Sequence, residues 1–123
     1  MGKGKKILIV DDNKDDLMII KRYLKEAGYS EIVTAEDGAG GTKKAREEKP
    51  DLIILDTILP DANGFEICRE IRKTEGLTNP KIIIVTGSID AVDAVEAKKA
   101  GADDYFAKSS NFSPLIEAVK RII

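Results

Sequence analysis

Three stretches of the chain are almost wholly apolar: Lys6–Val10, Leu52–Leu55 and Lys81–Val85. Each is short, rich in isoleucine, valine and leucine, and lacks the alternation of a half-exposed strand. Such runs predict strands buried on both faces. Glu31–Ala35 and Tyr105–Ala107 read as two further, shorter strands. Between the strands the period changes. Leu17, Ile20 and Leu24 repeat at helical spacing after Asp11, Asp12 and Asn13, and Gly28 stops that helix. Asp37 caps a second helix through Glu48, which Pro50 closes. A loop with Pro60, Asn63 and Gly64 leads to a third helix carrying Phe65, Cys68 and Ile71. Asn79-Pro80 marks a turn. Asp90–Ala100, with Val92 and Val95, is an alanine-rich fourth helix stopped by Gly101, and Ser113–Ile123 is an amphipathic fifth. Met18 is assigned to the core with the helix-facing leucines. Five strands alternating with five helices predict an α/β fold, a doubly wound parallel sheet covered by helices on both faces.

That topology carries a geometric consequence. In open parallel sheets, ligands sit outside the carboxyl ends of the strands, near the point where strand order reverses. Asp11 and Asp12, Asp56, Thr86 and Lys108 each follow the last apolar residue of a predicted strand, so all are expected at one edge. Three carboxylates there repel one another, which raises the pKa of at least one of them. A hard divalent cation relieves the conflict, since Mg²⁺ takes oxygen ligands and commonly bridges carboxylates to a phosphate. An aspartate carboxylate is also a nucleophile for phosphoryl groups. Lys108 offers a charge and Thr86 a hydroxyl to phosphoryl oxygens, and Gly87 leaves room beside that hydroxyl. Taken singly, these residues have plainer roles. Asp11, Asp12 and Asn13 serve equally well as helix caps, and a threonine at a strand end or a lysine in a loop is uninformative. Asp56 is harder to dismiss, because an acid abutting Leu-Ile-Ile-Leu needs a partner when buried.

Composition narrows the field. With 123 residues, 42% hydrophobic and 34% charged, the chain is one ordinary globular domain. A net charge of −2 gives no support for direct nucleic-acid binding. No apolar run approaches the ~20 residues that span a bilayer, so no membrane contact is expected. Cys68 is the single cysteine, which fits a reducing, cytoplasmic setting, and its place on a helix face beside Phe65 and Ile71 marks it as packing. There is no histidine, so any histidine in the chemistry belongs to a partner.

The set Asp11-Asp12, Asp56, Thr86 and Lys108 resembles the receiver-domain signature of two-component response regulators. Ile-Leu-Ile-Val-Asp-Asp at the start, Pro50–Asp56, Leu59-Pro60 with Asn63-Gly64, and Ala100–Tyr105 are similar to the family as well. The resemblance covers Lys6 to about Ile122. It implies a flavodoxin-like sheet of order 2-1-3-4-5, and residues 1–123 are read as a single receiver domain with no output domain. It further implies that Asp56 takes a phosphoryl group from a phosphohistidine on a sensor histidine kinase or a histidine phosphotransfer protein. Asp12 would ligate Mg²⁺ (or Mn²⁺) directly and Asp11 through water, with Asp56 and the backbone carbonyl of Ile58 completing the protein ligands. Lys108 and Thr86 would bind phosphoryl oxygens. Thr86 and Tyr105 would then move together and remodel the face made by the fourth helix, fifth strand and fifth helix. The product is a signalling phosphoacceptor, not an enzyme acting on other substrates. Its output is a downstream protein target or an output domain outside this chain, and a phosphorylation-linked dimer is among the assemblies implied.

One departure stands out. The family usually has proline after the lysine, often in a cis bond, where this chain has Ser109-Ser110; a cis bond to a non-proline costs ~3 kcal/mol. The expectation is a trans bond with a shifted loop, or a strained loop held by its surroundings. Ile58 and Ser88 stand at positions that influence the lifetime of the acyl phosphate, and apolar Ile58 predicts slow to moderate autodephosphorylation. Three other readings compete. A flavodoxin-type flavin module would meet repulsion from Asp11, Asp12, Asp15 and Asp16. A haloacid-dehalogenase-type phosphatase needs an acid where Ile58 stands. A degenerate receiver would act as a phosphorylation-independent scaffold, but such chains usually replace the motif residues kept here.

Overall fold

The computed structural model describes residues 4–74, 76, 79–87, 91–108 and 112–123. The chain alternates β1 (Lys6–Val10), α1 (Lys14–Glu26), β2 (Glu31–Ala35), α2 (Gly38–Glu48), β3 (Leu52–Asp56), α3 (Gly64–Lys73), β4 (Lys81–Thr86), α4 (Ala91–Ala100), β5 (Asp104–Ala107) and α5 (Ser113–Ile122). All neighbouring strands are parallel, in the order β2-β1-β3-β4-β5. Asp56 and Thr86 are the last residues of their strands rather than the first residues beyond them, and β5 begins one residue earlier than its apolar pattern suggested.

The pleat sorts each strand into two layers. Ile7, Ile9, Leu52, Ile54, Ile83 and Val85 face α1 and α5, meeting Leu17, Ile20, Leu24, Leu115 and Val119. Leu8, Val10, Ile53, Leu55, Ile82 and Ile84 face the opposite layer, packing with Ala45, Ile67, Cys68, Ile71 and Ala97 of α2, α3 and α4. Both faces of β1, β3 and β4 are thus covered, which is why these strands read as unbroken apolar runs.

Asn13 is the N-cap of α1, accepting from the Asp16 N–H at 3.0 Å, so neither Asp11 nor Asp12 fills that role. Gly28, at φ +102°, takes the left-handed turn that ends the helix. Asp37 caps α2 as its position predicted. Met18 does not belong to the core: it is 70% exposed. Leu17, Ile20 and Leu24 form the inward stripe of α1, and the next residue after Leu17 is turned about 100° away from it. Among the described residues no helix is long and apolar enough to cross a membrane. Ser88, Asp90, the side chain of Val92 and the Lys108-Ser109 bond with the loop after it lie outside the described residues.

Candidate functional site

At the carboxyl edge of the sheet the pleat decides which side chains meet. Asp11 continues the parity of Ile7 and Ile9, Asp56 that of Leu52 and Ile54, and Lys108 that of Phe106, which packs with the α1/α5 layer. All three therefore come to the α1 side of the edge. The Lys108 ammonium lies 2.8 Å from Asp11 Oδ2 and 3.4 Å from Asp56 Oδ2. It also lies 2.9 Å from Asp16 Oδ2. Asp12 is exposed, yet one carboxylate oxygen each from Asp11, Asp12 and Asp56 lies within 4.8 Å of the other two. That separation suits three oxygen ligands around one small cation, and it leaves the group short of positive charge, with four carboxylates facing one ammonium.

The electrostatics follow from this crowding. Burial, and then the charge of Asp11, push the Asp56 carboxyl up from its ordinary 3.8 to about 6, with Lys108 drawing it only part of the way back. For Lys108, burial by itself would favour loss of its proton, but hydrogen bonds to Asp11 and Asp16 and the field of Asp11 and Asp56 prevail. Its pKa is raised. Asp11 uses its other oxygen to accept the Asn13 N–H at 2.9 Å, which fixes the carboxylate's orientation.

Thr86 reaches the same edge on the other face. It shares the parity of Ile82 and Ile84, and its hydroxyl accepts a hydrogen bond from the Thr57 hydroxyl at 3.2 Å. Tyr105 is aligned with Ile84 in the β4–β5 ladder and packs against that same layer, its hydroxyl oxygen already shielded from solvent. Gly87 is exposed, and a Cβ there would meet none of the described residues beyond its chain neighbours within 4 Å.

The segment after Asp56 is held tightly. Gly64 N–H donates to Thr57 C=O at 2.8 Å, and Ile58 and Asn63 form an isolated antiparallel bridge. A Cβ on Gly64 would overlap the Asp56 carbonyl oxygen and sit 2.9 Å from Thr57 Cα, which is why this turn requires glycine. Ile58 is left 76% exposed over the edge. Asp61 accepts from Gly38 and Ala39 N–H, at 2.6 and 2.9 Å, tying the loop to the start of α2. Those backbone bonds hold its carboxyl below the usual range. Cys68 is fully buried and donates to Ala100 C=O at 3.3 Å, in keeping with a packing role.

Asp16 and Thr57 are the site residues that sequence reasoning missed. A signal existed for Asp16: three positions after the N-cap, its side chain leans back toward the helix start, where the acids gather. Thr57 carried none beyond its place next to Asp56.

The family model for the response regulator receiver domain matches residues 7–120. The chain belongs to that family. As a receiver domain it is 42% identical over 111 residues to the alkaline phosphatase synthesis transcriptional regulatory protein PhoP of Bacillus subtilis, covering 90% of this chain and 44% of PhoP. It is 32% identical to the protein PilH of Pseudomonas aeruginosa, covering 96% of this chain and 97% of PilH. The chain thus spans about half the length of the first curated relatives it matches and nearly all of PilH. The crystal structure of response regulator protein TrrA from Thermotoga maritima, in complex with Mg²⁺-BeF, superposes on this receiver domain with a TM-score of 0.86. The two are 39% identical, with 97% of this chain and 99% of that one covered.

Proposed function

We propose that this receiver domain is a phosphorylation switch whose acceptor is Asp56, phosphorylated by a phosphohistidine of a sensor histidine kinase or a histidine phosphotransfer protein. The observation that carries the reading is the crowding of Asp11, Asp12, Asp16 and Asp56 around the single ammonium of Lys108. A carboxylate oxygen of Asp56 attacks phosphorus, the bond to the imidazole nitrogen breaks, and the imidazole leaves with the bonding pair and takes up a proton. Lys108 turns from the carboxylates to the equatorial phosphoryl oxygens, and the Thr86 hydroxyl donates to one of them. Asp12 and Asp56, the backbone carbonyl of Ile58, and Asp11 through water would hold Mg²⁺ or Mn²⁺, which when bound supplies neutralisation of the crowded negative charge. The Mg²⁺-BeF complex of TrrA supports this part of the reading.

With Thr86 turned toward the phosphoryl group, Tyr105 and the face built by α4, β5 and α5 repack and present the signal to a downstream protein or an attached output domain. The domain works in the cytoplasm, catalyses only its own phosphorylation and dephosphorylation, and loses its acyl phosphate at a slow to moderate rate because apolar, exposed Ile58 positions no attacking water. Incubation with Mg²⁺ and acetyl phosphate, followed by intact mass, tests the reading. One phosphoryl adduct per chain, absent in Asp56→Asn, is the expected result. No adduct at saturating donor overturns it, and an adduct lost within a few seconds overturns the role given to Ile58.

A further inference from the structure

We propose that Thr57 is a positioning residue that latches Thr86 on the α4 side of the sheet and thereby sets how readily the domain switches. The proposal rests on the phosphoacceptor reading above and adds to it a residue with a defined physical role.

The latch follows from strand register. Asp56 is aligned with Val85 between β3 and β4, so the next residues, Thr57 and Thr86, stand opposite each other on the same face. Both side chains are buried, at 6% and 5% exposure, and their hydroxyls are bonded at 3.2 Å with Thr57 as the donor. Asp56, one residue earlier in extended chain, points to the other face, where Lys108 and Asp11 lie. For its hydroxyl to meet a phosphoryl group on Asp56, Thr86 has to swing over the end of the sheet and away from Thr57.

Thr57 is unable to follow. Its N–H is bonded to Val85 C=O at 3.2 Å and its C=O to Gly64 N–H at 2.8 Å, with the turn pinned by the contact of Gly64 on Asp56. Switching therefore breaks the hydroxyl pair and strands a donor in a buried site. A net hydrogen bond of ordinary strength shifts an equilibrium about 3- to 10-fold, and a stranded buried donor shifts it further in the same direction. In the unphosphorylated domain the pair holds Thr86 in its resting rotamer. Removing the Thr57 hydroxyl while keeping its branched shape lowers the barrier to switching without touching the acceptor.

The test uses the intact chain with Mg²⁺ and titrated beryllofluoride, read by tyrosine fluorescence and by amide chemical shifts of β4 and β5. Thr57→Val is expected to lower the half-saturating beryllofluoride concentration about 3- to 10-fold, whereas Thr57→Ser, which keeps the donor, stays within about twofold of wild type. Thr57→Ala, tested alongside in case valine packs poorly, is expected to shift in the same direction as valine. A loss of thermal stability in Thr57→Val and Thr57→Ala with an unmoved half-saturation point would mean a merely structural hydroxyl and overturns the latch. A wild type that responds while both variants match it overturns the latch alone; a wild type that gives no response overturns the phosphoacceptor reading and the latch with it.

Discussion

Lys108 and Asp56, 52 residues apart in the chain, face each other at 3.4 Å across the mouth of the sheet, and the lysine is shared with Asp11 and Asp16. Asp56 consequently receives only part of one positive charge, and it is buried. Because its carboxyl is raised to about 6 in the folded chain, the folded state holds the proton more tightly than the unfolded one. Asp56 therefore weakens the fold above pH 6, and this penalty is relieved as pH falls toward its ordinary 3.8. In EDTA at pH 7.5, Asp56→Asn is expected to be more stable than wild type by roughly 3 kcal/mol at most, an advantage that shrinks toward zero near pH 4. Urea melts at both pH values check the sign. A constant difference would show that the charge is not the cause.

Lys108→Met removes the one cation that the described residues bring to this group while leaving the carboxylates in place. Metal-free stability at pH 7.5 is expected to fall by roughly 1–3 kcal/mol, since the acids lose their shared partner. The deficit should shrink when Mg²⁺ is added, as followed by the shift of the thermal midpoint with and without the ion.

Gly64→Ala drives a Cβ into the backbone of Asp56 and Thr57, atoms with no freedom to move aside. Overpacking of this kind costs roughly 1–3 kcal/mol or more. The variant should melt well below wild type and, if folded, accept phosphoryl groups from acetyl phosphate more slowly, because the backbone of Asp56, the proposed acceptor, is displaced.

Met18→Ala should change stability by no more than about 0.5 kcal/mol, whereas Leu24→Ala should cost roughly 2–5 kcal/mol. Met18 stands in solvent and Leu24 is fully buried, both on α1. Equal effects in a chemical denaturation series would contradict the orientation of that helix.

Burial pushes the Cys68 thiol up to about 11. In native buffer near neutral pH it should react with a disulfide reagent at a rate set by global unfolding, and at once in denaturant. A fast native reaction would mean that α3 and α4 part readily.

Much of this arrangement was written in local pattern. Ile7–Val10, Leu52–Leu55 and Ile82–Val85 are buried on both faces, and sequence alone required that of runs with no polar alternation. Strand ends then gathered Asp11, Asp56 and Lys108 at one edge. What local pattern lacks is rotation and distance. Met18 sits one residue from Leu17, and only the docking of α1 decides which of the two turns inward. Asp16 reaches Lys108 across 92 residues of sequence, and Asp61 caps a helix that begins 23 residues before it. The division of the edge into two faces, with Thr86 opposite Thr57 and away from Asp56, depends on the register of β3 against β4. No residue type announces a register.

The order of strands along the chain also governs when during synthesis the acidic edge can be completed. Asp56 is made 52 residues before Lys108, and β5 is the last strand to emerge from the ribosome. Until then the growing polypeptide holds Asp56 without its cation, in a sheet missing an edge strand. A copy released before Lys108 would carry the crowded carboxylates of this edge without the ammonium that joins Asp11, Asp16 and Asp56.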